Sequence, residues 1–447
     1  MGDLPIGTLL RKLSPPVMLA LLIQSIYNIV DSYFVSQYSL SGLTALSIAF
    51  PIQLLMTALG TGTGTGLNLL ISRMDGNGKN GRQKDVVKSG LCLGVWNFLL
   101  FTFIGMLLIE GYYDLSSGQA AVRAEGLRYT RIIFLGSLGL FVESNCTKLL
   151  QAKGNMATPM LAQVAGAVIN ILLDPILIFG LPGAPALGVA GAAIRTVAGQ
   201  WAAMAIVLRA VCRTYDMRGR FRVRDCARIY QSGFPSMVMQ ALYTLYIVGL
   251  NLILKQFTED AVTVLGIYYK LQTFFFIPLM GLQQVMVPVI SFNDGAQNHR
   301  RVKDTLWYSI GISSAVMALG TAVFLVFPEE LLSIFGASPS ILRIGAPALR
   351  IISVSFLPAG FAMMFTVYFQ GTGNGKSSLF ITVLRQVVLL VPLAWLFHFA
   401  GLRYVWLTFP VTEIAAMCCC FLLYRRGSGA MRDQTAEKGT AMGAEQG

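Results

Sequence analysis

Residues 14–35 read SPPVMLALLIQSIYNIVDSYFV. This is a run of about 20 mainly apolar positions, long enough to cross a bilayer as one helix. It carries three polar residues, Gln24, Asn28 and Asp31, spaced i, i+4 and i+7 so that they share one helical face. A carboxylate at membrane depth is costly unless it has a partner, a proton or a task. Asp31 is therefore the first functional clue in the chain.

The rest of the sequence repeats the apolar pattern. The 447 residues are 55% hydrophobic and 12% charged, with a mean hydropathy of +0.64. Soluble domains carry about 25% charged residues. The chain is expected to be an all-α polytopic membrane protein with twelve transmembrane helices. They are read at about 15–36, 46–72, 87–109, 122–148, 157–180, 187–211, 232–254, 262–291, 305–327, 341–368, 377–398 and 402–424. The first is too long for a signal peptide and is read as a retained span.

The net charge of +13 falls on alternate loops. Arg73, Lys79, Arg82, Lys84 and Lys88 follow span 2. Arg213, Arg218, Arg220, Arg222, Arg224 and Arg228 follow span 6, and Arg300, Arg301 and Lys303 follow span 8. The opposite loops lean acidic, with Glu110, Asp114, Glu259, Asp260, Glu329 and Glu330. This positive-inside pattern places both termini in the cytoplasm and the basic loops against anionic headgroups, with no role for nucleic acid. The seven cysteines avoid the acidic loops and the two histidines are isolated, so neither a disulfide framework nor a His/Cys metal site is expected. The polar tail 426–447 reads as a disordered cytoplasmic segment.

A shift of 219 residues superimposes the two halves without a gap. Tyr27 meets Tyr246, Gln53 meets Gln272, Asp75-Gly76 meets Asp294-Gly295, Arg131-Ile132-Ile133 meets Arg350-Ile351-Ile352, and Gly154-Asn155 meets Gly373-Asn374. Six spans per half give both halves the same orientation, related by an axis along the membrane normal. The division expected is a lobe of spans 1–6 (1–211), a basic linker (212–231) and a lobe of spans 7–12 (232–425). Two such pseudo-symmetric six-helix lobes suit alternating access to a central cavity.

Polar residues break the symmetry. Asp31, Asn170 and Asp174 stand opposite Leu250, Leu389 and Leu393. Asn170 and Asp174 lie one turn apart, and Pro175 leaves the Ile171 carbonyl without its helical donor. Thr196 and Gln200 are one turn apart in span 6. These oxygens suit a small cation or a shared proton. Two other readings stay open: Asp174 as a helix-end residue bonding a neighbour, and Asp31 as the ion-pair partner of Arg195. Gln24, Asn28, Gln200 and Glu143 are candidate substrate-pocket residues, Glu143 as an attractor of cations or as a packed acid. Tyr243, Tyr246, Phe274 and Met286 offer adaptable apolar surface. Arg385 and Glu413 suggest a pair, and Lys270 is left without assignment. The run GTGTGTG (60–66) lacks the Lys-Ser/Thr of a phosphate loop and is read as a helix-packing motif. No Walker motif and no nucleophile–base set is found, so neither ATP nor enzymatic chemistry is expected.

The stretches IYNIVDSYFV (26–35), LLQAKGNMATPM and INILLDPILIFG (149–160 and 169–180), GVAGAAIRT (188–196) and VPVISFNDGAQNHRRV (287–302) closely resemble the multidrug and toxic compound extrusion (MATE) family over nearly all of residues 10–425. The resemblance implies a secondary antiporter of the plasma (inner) membrane that expels cationic or amphipathic organic compounds in exchange for H⁺ or Na⁺, with no other cofactor and as a monomer. It places the cation site on Asp31, Asn170, Asp174 and Thr196, a pocket glutamine on Gln24 and a helix-bending proline on Pro16. Pro175 joins Pro16 as a conformational candidate. One departure is Arg195, where a small residue is expected; a cation there competes with Na⁺ and favours H⁺. The group that contains this family also includes flippases of lipid-linked precursors, and such a reading would draw on Lys270, Arg385, Arg131 and Arg350 for a pyrophosphate. A membrane scaffold without transport is the remaining alternative.

Overall fold

The computed structural model describes residues 2–38, 40–78, 80–116, 118–180, 186–336 and 338–444, with the side chains of 28–38, 40, 43, 80, 179, 244 and 427–444 outside the description. Helices follow one another as α1 (Ile6–Tyr38), α2 (Leu40–Gly76), α3 (Gln83–Ser116), α4 (Ala120–Gly136), α5 (Leu138–Ala152), α6 (Ala157–Phe179), α7 (Val189–Thr214), α8 (Val223–Leu254), α9 (Glu259–Gly295) and α10 (His299–Val326). Then come α11 (Pro328–Ser333), α12 (Pro339–Ser353), α13 (Phe356–Gly371), α14 (Gly375–Val383), a π-helical segment (Leu384–Leu390), α15 (Val391–His398), α16 (Leu402–Val405) and α17 (Thr408–Ala444). No strand occurs among the described residues. Ten helices are long and apolar enough to cross a membrane, and two bent pairs raise the number to twelve.

Those bent pairs fall on the spans read at 122–148 and 341–368. α4 and α5 meet at 46°, and α12 and α13 at 47°. The cause is local: Ser137 Oγ donates to Phe134 O at 2.8 Å, and Ser355 Oγ donates to Ile352 O at 2.6 Å. Such back-bonding competes with the main-chain ladder and bends the axis. The breaks fall at matching places in the two halves. So do the left-handed glycines Gly154 (φ 79°) and Gly373 (φ 80°), so the repeat is written in the backbone as well as in the residues.

The chain forms two compact units: Met1–Thr244 with Phe276–Ser309 and Gln370–Gly373, and Leu245–Phe275 with Ile310–Phe369 and Asn374–Gly447. α8 begins at Val223, inside the stretch read as linker, with Asp225 in the first turn where an acid complements the helix dipole. The preceding residues are clasped to the start of α3: Arg220 N donates to Asp85 at 2.8 Å, Arg222 N donates to Ser89 Oγ at 3.0 Å, and the Arg222 guanidinium pairs with Asp85 at 3.1 Å. α17 runs from Thr408 to Ala444.

In the first unit the glycine run acts as two packing faces of α2. A Cβ on Gly60 or Gly64 would meet Leu140 or Lys148 of α5, while a Cβ on Gly62 or Gly66 would meet Met237 or the Ile229 carbonyl of α8. Helix association in lipid rests on such close approach, since the hydrophobic effect does not distinguish helix from lipid tail. The repeat-equivalent ends of α2 and α9 also meet within this unit. Arg73 pairs with Asp294 at 2.9 Å and donates to Gly371 O at 3.3 Å, and Gly76 packs against the Phe292 carbonyl.

We predict that Gly66→Val lowers stability by about 3 kcal/mol or more, because the added branches run into backbone that cannot yield. Gly311→Ala, where an added Cβ meets nothing within 4 Å, is expected to be neutral or to stabilise by roughly 0.5 kcal/mol. Thermal unfolding of the detergent-purified variants, followed by monodisperse yield, checks both.

Candidate functional site

The site is built where α6 and α7 come unusually close. A Cβ on Gly166 would press on the Gly199 carbonyl at 3.0 Å, one on Gly199 would strike the Asn170 amide, and one on Gly191 would strike the Leu177 carbonyl. With glycine at these three positions, the acid on one helix lies within reach of the arginine on the other. α6 passes through Pro175 and ends at Phe179, capped by Gly180 in the left-handed region (φ 81°). Asp174 is thus inside the helix, not at its terminus, which sets aside the helix-end reading.

Asp174 forms a direct ion pair with Arg195, and both side chains are fully buried (0% and 1% exposed). Arg195 Nη1 also donates to the Tyr27 hydroxyl at 2.6 Å, and its guanidinium lies 5.8 Å from the centre of that ring. Tyr27 sits on α1 one turn before Asp31. The side chains of Asp31 and Asn28 lie outside the described residues. Arg195 pairs with Asp174, while the alternative in which Asp31 pairs with Arg195 falls on a side chain outside the described residues. The Asp174 pairing follows from the α6–α7 approach just described, which spacing along either helix does not reveal.

The neighbours complete a polar pocket in the first unit. Asn170 is buried and its Oδ1 has no hydrogen-bond partner among the described residues. Thr196 Oγ1 donates to Ala192 O at 2.9 Å and lies against the Tyr129 hydroxyl, which accepts from Gln53 at 2.8 Å. A guanidinium already occupies the Asp174 carboxylate, and the Thr196 hydroxyl is engaged with its own helix.

Of the pocket candidates, Gln24 and Tyr243 are exposed in the first unit, and Gln200 and Glu143 are half-buried there. Met286 is buried in that unit; Tyr246 is buried and Phe274 exposed in the second. Glu143 accepts from Thr147 Oγ1 at 2.7 Å. Five residues on stands a group that sequence reasoning missed. Lys148 donates from Nζ to Gln151 Oε1 at 2.9 Å and Gln284 Oε1 at 3.3 Å, with no carboxylate in ion-pair range among the described residues. The signal was available, since the repeat sets Lys148 opposite Val367 and Gln284 opposite Thr65. In the second unit Arg385 pairs with Glu413 at 2.6 Å, and Lys270 lies 5.8 Å from the Phe335 ring centre.

A helical membrane protein of this span number, with ion-paired acids and arginines inside its helices, has the features of a membrane transporter. The MatE family profile matches residues 16–176 and 235–396, two stretches whose starts are separated by the repeat interval. The chain belongs to the MatE family. It is 24% identical over 97% of both chains to a protein named FAD transporter from Shewanella oneidensis. It is 26% identical, over 92% of both chains, to the multidrug export protein MepA of Staphylococcus haemolyticus. A solved outward-facing MATE transporter of the MOP superfamily shares the fold at a TM-score of 0.88, with 24% identity over 96% of this chain and 97% of that one.

Breaking a buried pair by removing one partner strands a charge, at about 3–5 kcal/mol, whereas replacing both partners with apolar residues is often neutral. Arg195→Met is therefore expected to destabilise markedly, and Arg195→Met with Asp174→Leu to recover most of the loss. Thermal unfolding of the single and double variants measures this.

Proposed function

We propose that the protein is a secondary antiporter of the plasma membrane, acting as a monomer with both termini in the cytoplasm. It exports cationic or amphipathic organic compounds by alternating access between the lobes 1–211 and 232–425, and inward proton movement drives it. The observation that carries the choice of ion is the Asp174–Arg195 pair. The Asp174 carboxylate already holds one built-in cation, Arg195, so a single proton added to it changes the state of the pair. A tethered guanidinium leaves no vacancy for Na⁺, but it leaves a carboxylate for H⁺.

In this reading a proton arriving from outside is taken up by Asp31 or Asp174. Arg195 then holds the remaining carboxylate, and Tyr27, bonded to Arg195, transmits the change to α1. Pro15 and Pro16 lie inside α1, where the missing donors make the helix easier to bend. Each unit of pH gradient supplies about 1.4 kcal/mol per proton. About 100 mV adds roughly 2.3 kcal/mol per charge moved.

A second reading concerns the substrate. Lys148, which among the described residues is hydrogen-bonded by glutamine oxygens with Glu143 in electrostatic range but not in direct contact, is a cation that an anionic group could meet. Together with the similarity to a FAD transporter, it supports an anionic amphipath such as a flavin dinucleotide. The flippase reading is less favoured, because Arg131 is paired with Glu110 and Arg385 with Glu413.

Purified protein in liposomes, with pH and Na⁺ gradients imposed separately, tests the proposal. Ethidium efflux is expected to follow the pH gradient, to ignore Na⁺, and to fall at least tenfold in Asp31→Asn. Arg195→Ser, in a background that still folds, is expected to gain Na⁺ dependence. Efflux driven by Na⁺ in the unaltered protein would overturn the ion assignment. Flavin dinucleotide moved in preference to ethidium, with the preference lost in Lys148→Gln, would establish the second reading of the substrate.

A further inference from the structure

The polar asymmetry between the halves is incomplete. In the first half an acid on α6 pairs with an arginine on α7, beside Tyr27 of α1. The repeat carries α6 onto the α14–π–α15 span and α7 onto α17, while Tyr27 becomes Tyr246 of α8. In the second unit these same three elements hold Arg385, Glu413 and Tyr246. The pair therefore recurs between equivalent helices with its polarity exchanged: the arginine is on the first helix and the acid on the second. Neither charged member of either pair is conserved by the repeat, since Arg385 stands opposite Gly166, Glu413 opposite Ile194, Arg195 opposite Ile414 and Asp174 opposite Leu393. A residue-by-residue comparison of the halves thus misses the correspondence.

Three further features set this pair apart from a packing contact. Glu413 bonds Arg385 through Oε1; among the described residues its Oε2 is buried with no hydrogen-bond partner, as is Oε1 of the neighbouring Gln386. A half-satisfied buried carboxylate is a poor structural element, because the unpaired oxygen bears its full desolvation penalty. Arg385 lies in the π-helical segment Leu384–Leu390, a rare conformation that recurs at functional sites. The Arg385 side chain is 23% exposed, so the pair has an edge on its surroundings. Among the described residues, the other titratable groups in electrostatic range are Tyr246 from α8 and Cys420 from the acid's own helix, and Arg385 is the charged group acting on Glu413.

We infer that Glu413 is a second proton-accepting site, one in each half, and that a transport cycle moves two protons. This deepens the proton-antiport reading above and rests on it. An O–H bond forms at Glu413 Oε2 when the carboxylate takes a proton, leaving the guanidinium of Arg385 as the pair's only charge. The proton leaves by the reverse step on the other side of the membrane, with no electron transfer. Arg385 is a positioning residue that holds Oε1 and leaves Oε2 open.

The test is the stoichiometry of purified full-length protein in liposomes, read as the ethidium gradient that just balances a given pH gradient. The unaltered protein should move two protons per ethidium. Arg385→Met with Glu413→Met removes both charges without stranding either. It should fold, move one proton per ethidium, and show a rate that depends on proton concentration to one power less. If the double variant does not fold, Glu413→Asp serves in its place: it keeps the charge, retracts the carboxylate and should shift the midpoint of the pH–rate profile. A folded double variant with unchanged stoichiometry, an unshifted profile in Glu413→Asp, or one proton per turnover in the unaltered protein would each overturn the second site while leaving proton antiport standing. Ethidium movement without any proton movement would overturn both.

Discussion

Charge in a low-dielectric interior governs this molecule. An isolated ion at membrane depth is expensive, and a paired one is tolerable only with close geometry. Arg195 and Asp174 answer that demand as a direct ion pair, with both side chains sealed from solvent. Much of the surrounding architecture follows from it. Gly166, Gly191 and Gly199 remove the side chains that would hold α6 and α7 apart, and Tyr27 takes a remaining guanidinium donor. Small residues thus serve electrostatics as well as packing.

The same economy separates the other charges by their tasks. At the end of α2, Arg73 joins the equivalent end of α9 through Asp294, and on the same side Lys153 pairs with Asp75 at 2.7 Å. These are satisfied contacts that tie helix ends. Lys148 differs, because glutamine oxygens disperse a charge without cancelling it. Glu413 differs in another way, using one oxygen and leaving the other bare.

The internal repeat supplies the frame in which these departures become visible. Bends at matching serines and left-handed glycines at matching turns show that the two halves share a backbone plan. Against that plan the polar residues were placed independently in each half. An antiporter needs this combination: similar scaffolds that move as units, and dissimilar linings that bind an ion and a substrate.

Much of the fold was legible in the linear sequence. Runs of apolar residues mark helices because the bilayer demands length and internal hydrogen bonding, and a constant offset exposes the repeat because gapless duplication preserves order. Asp31, Asn170, Asp174 and Thr196 were visible as polar exceptions, and the GTGTGTG run as a packing face. What the tertiary structure alone decided was partnership. Arg195 is placed on Asp174, Lys148 on Gln284, and Arg385 on Glu413, across helices whose separation in sequence carries no distance. Helical periodicity states which residues share a face. Which face meets which depends on how closely two backbones pack, and that is set by glycines and bends acting together in three dimensions.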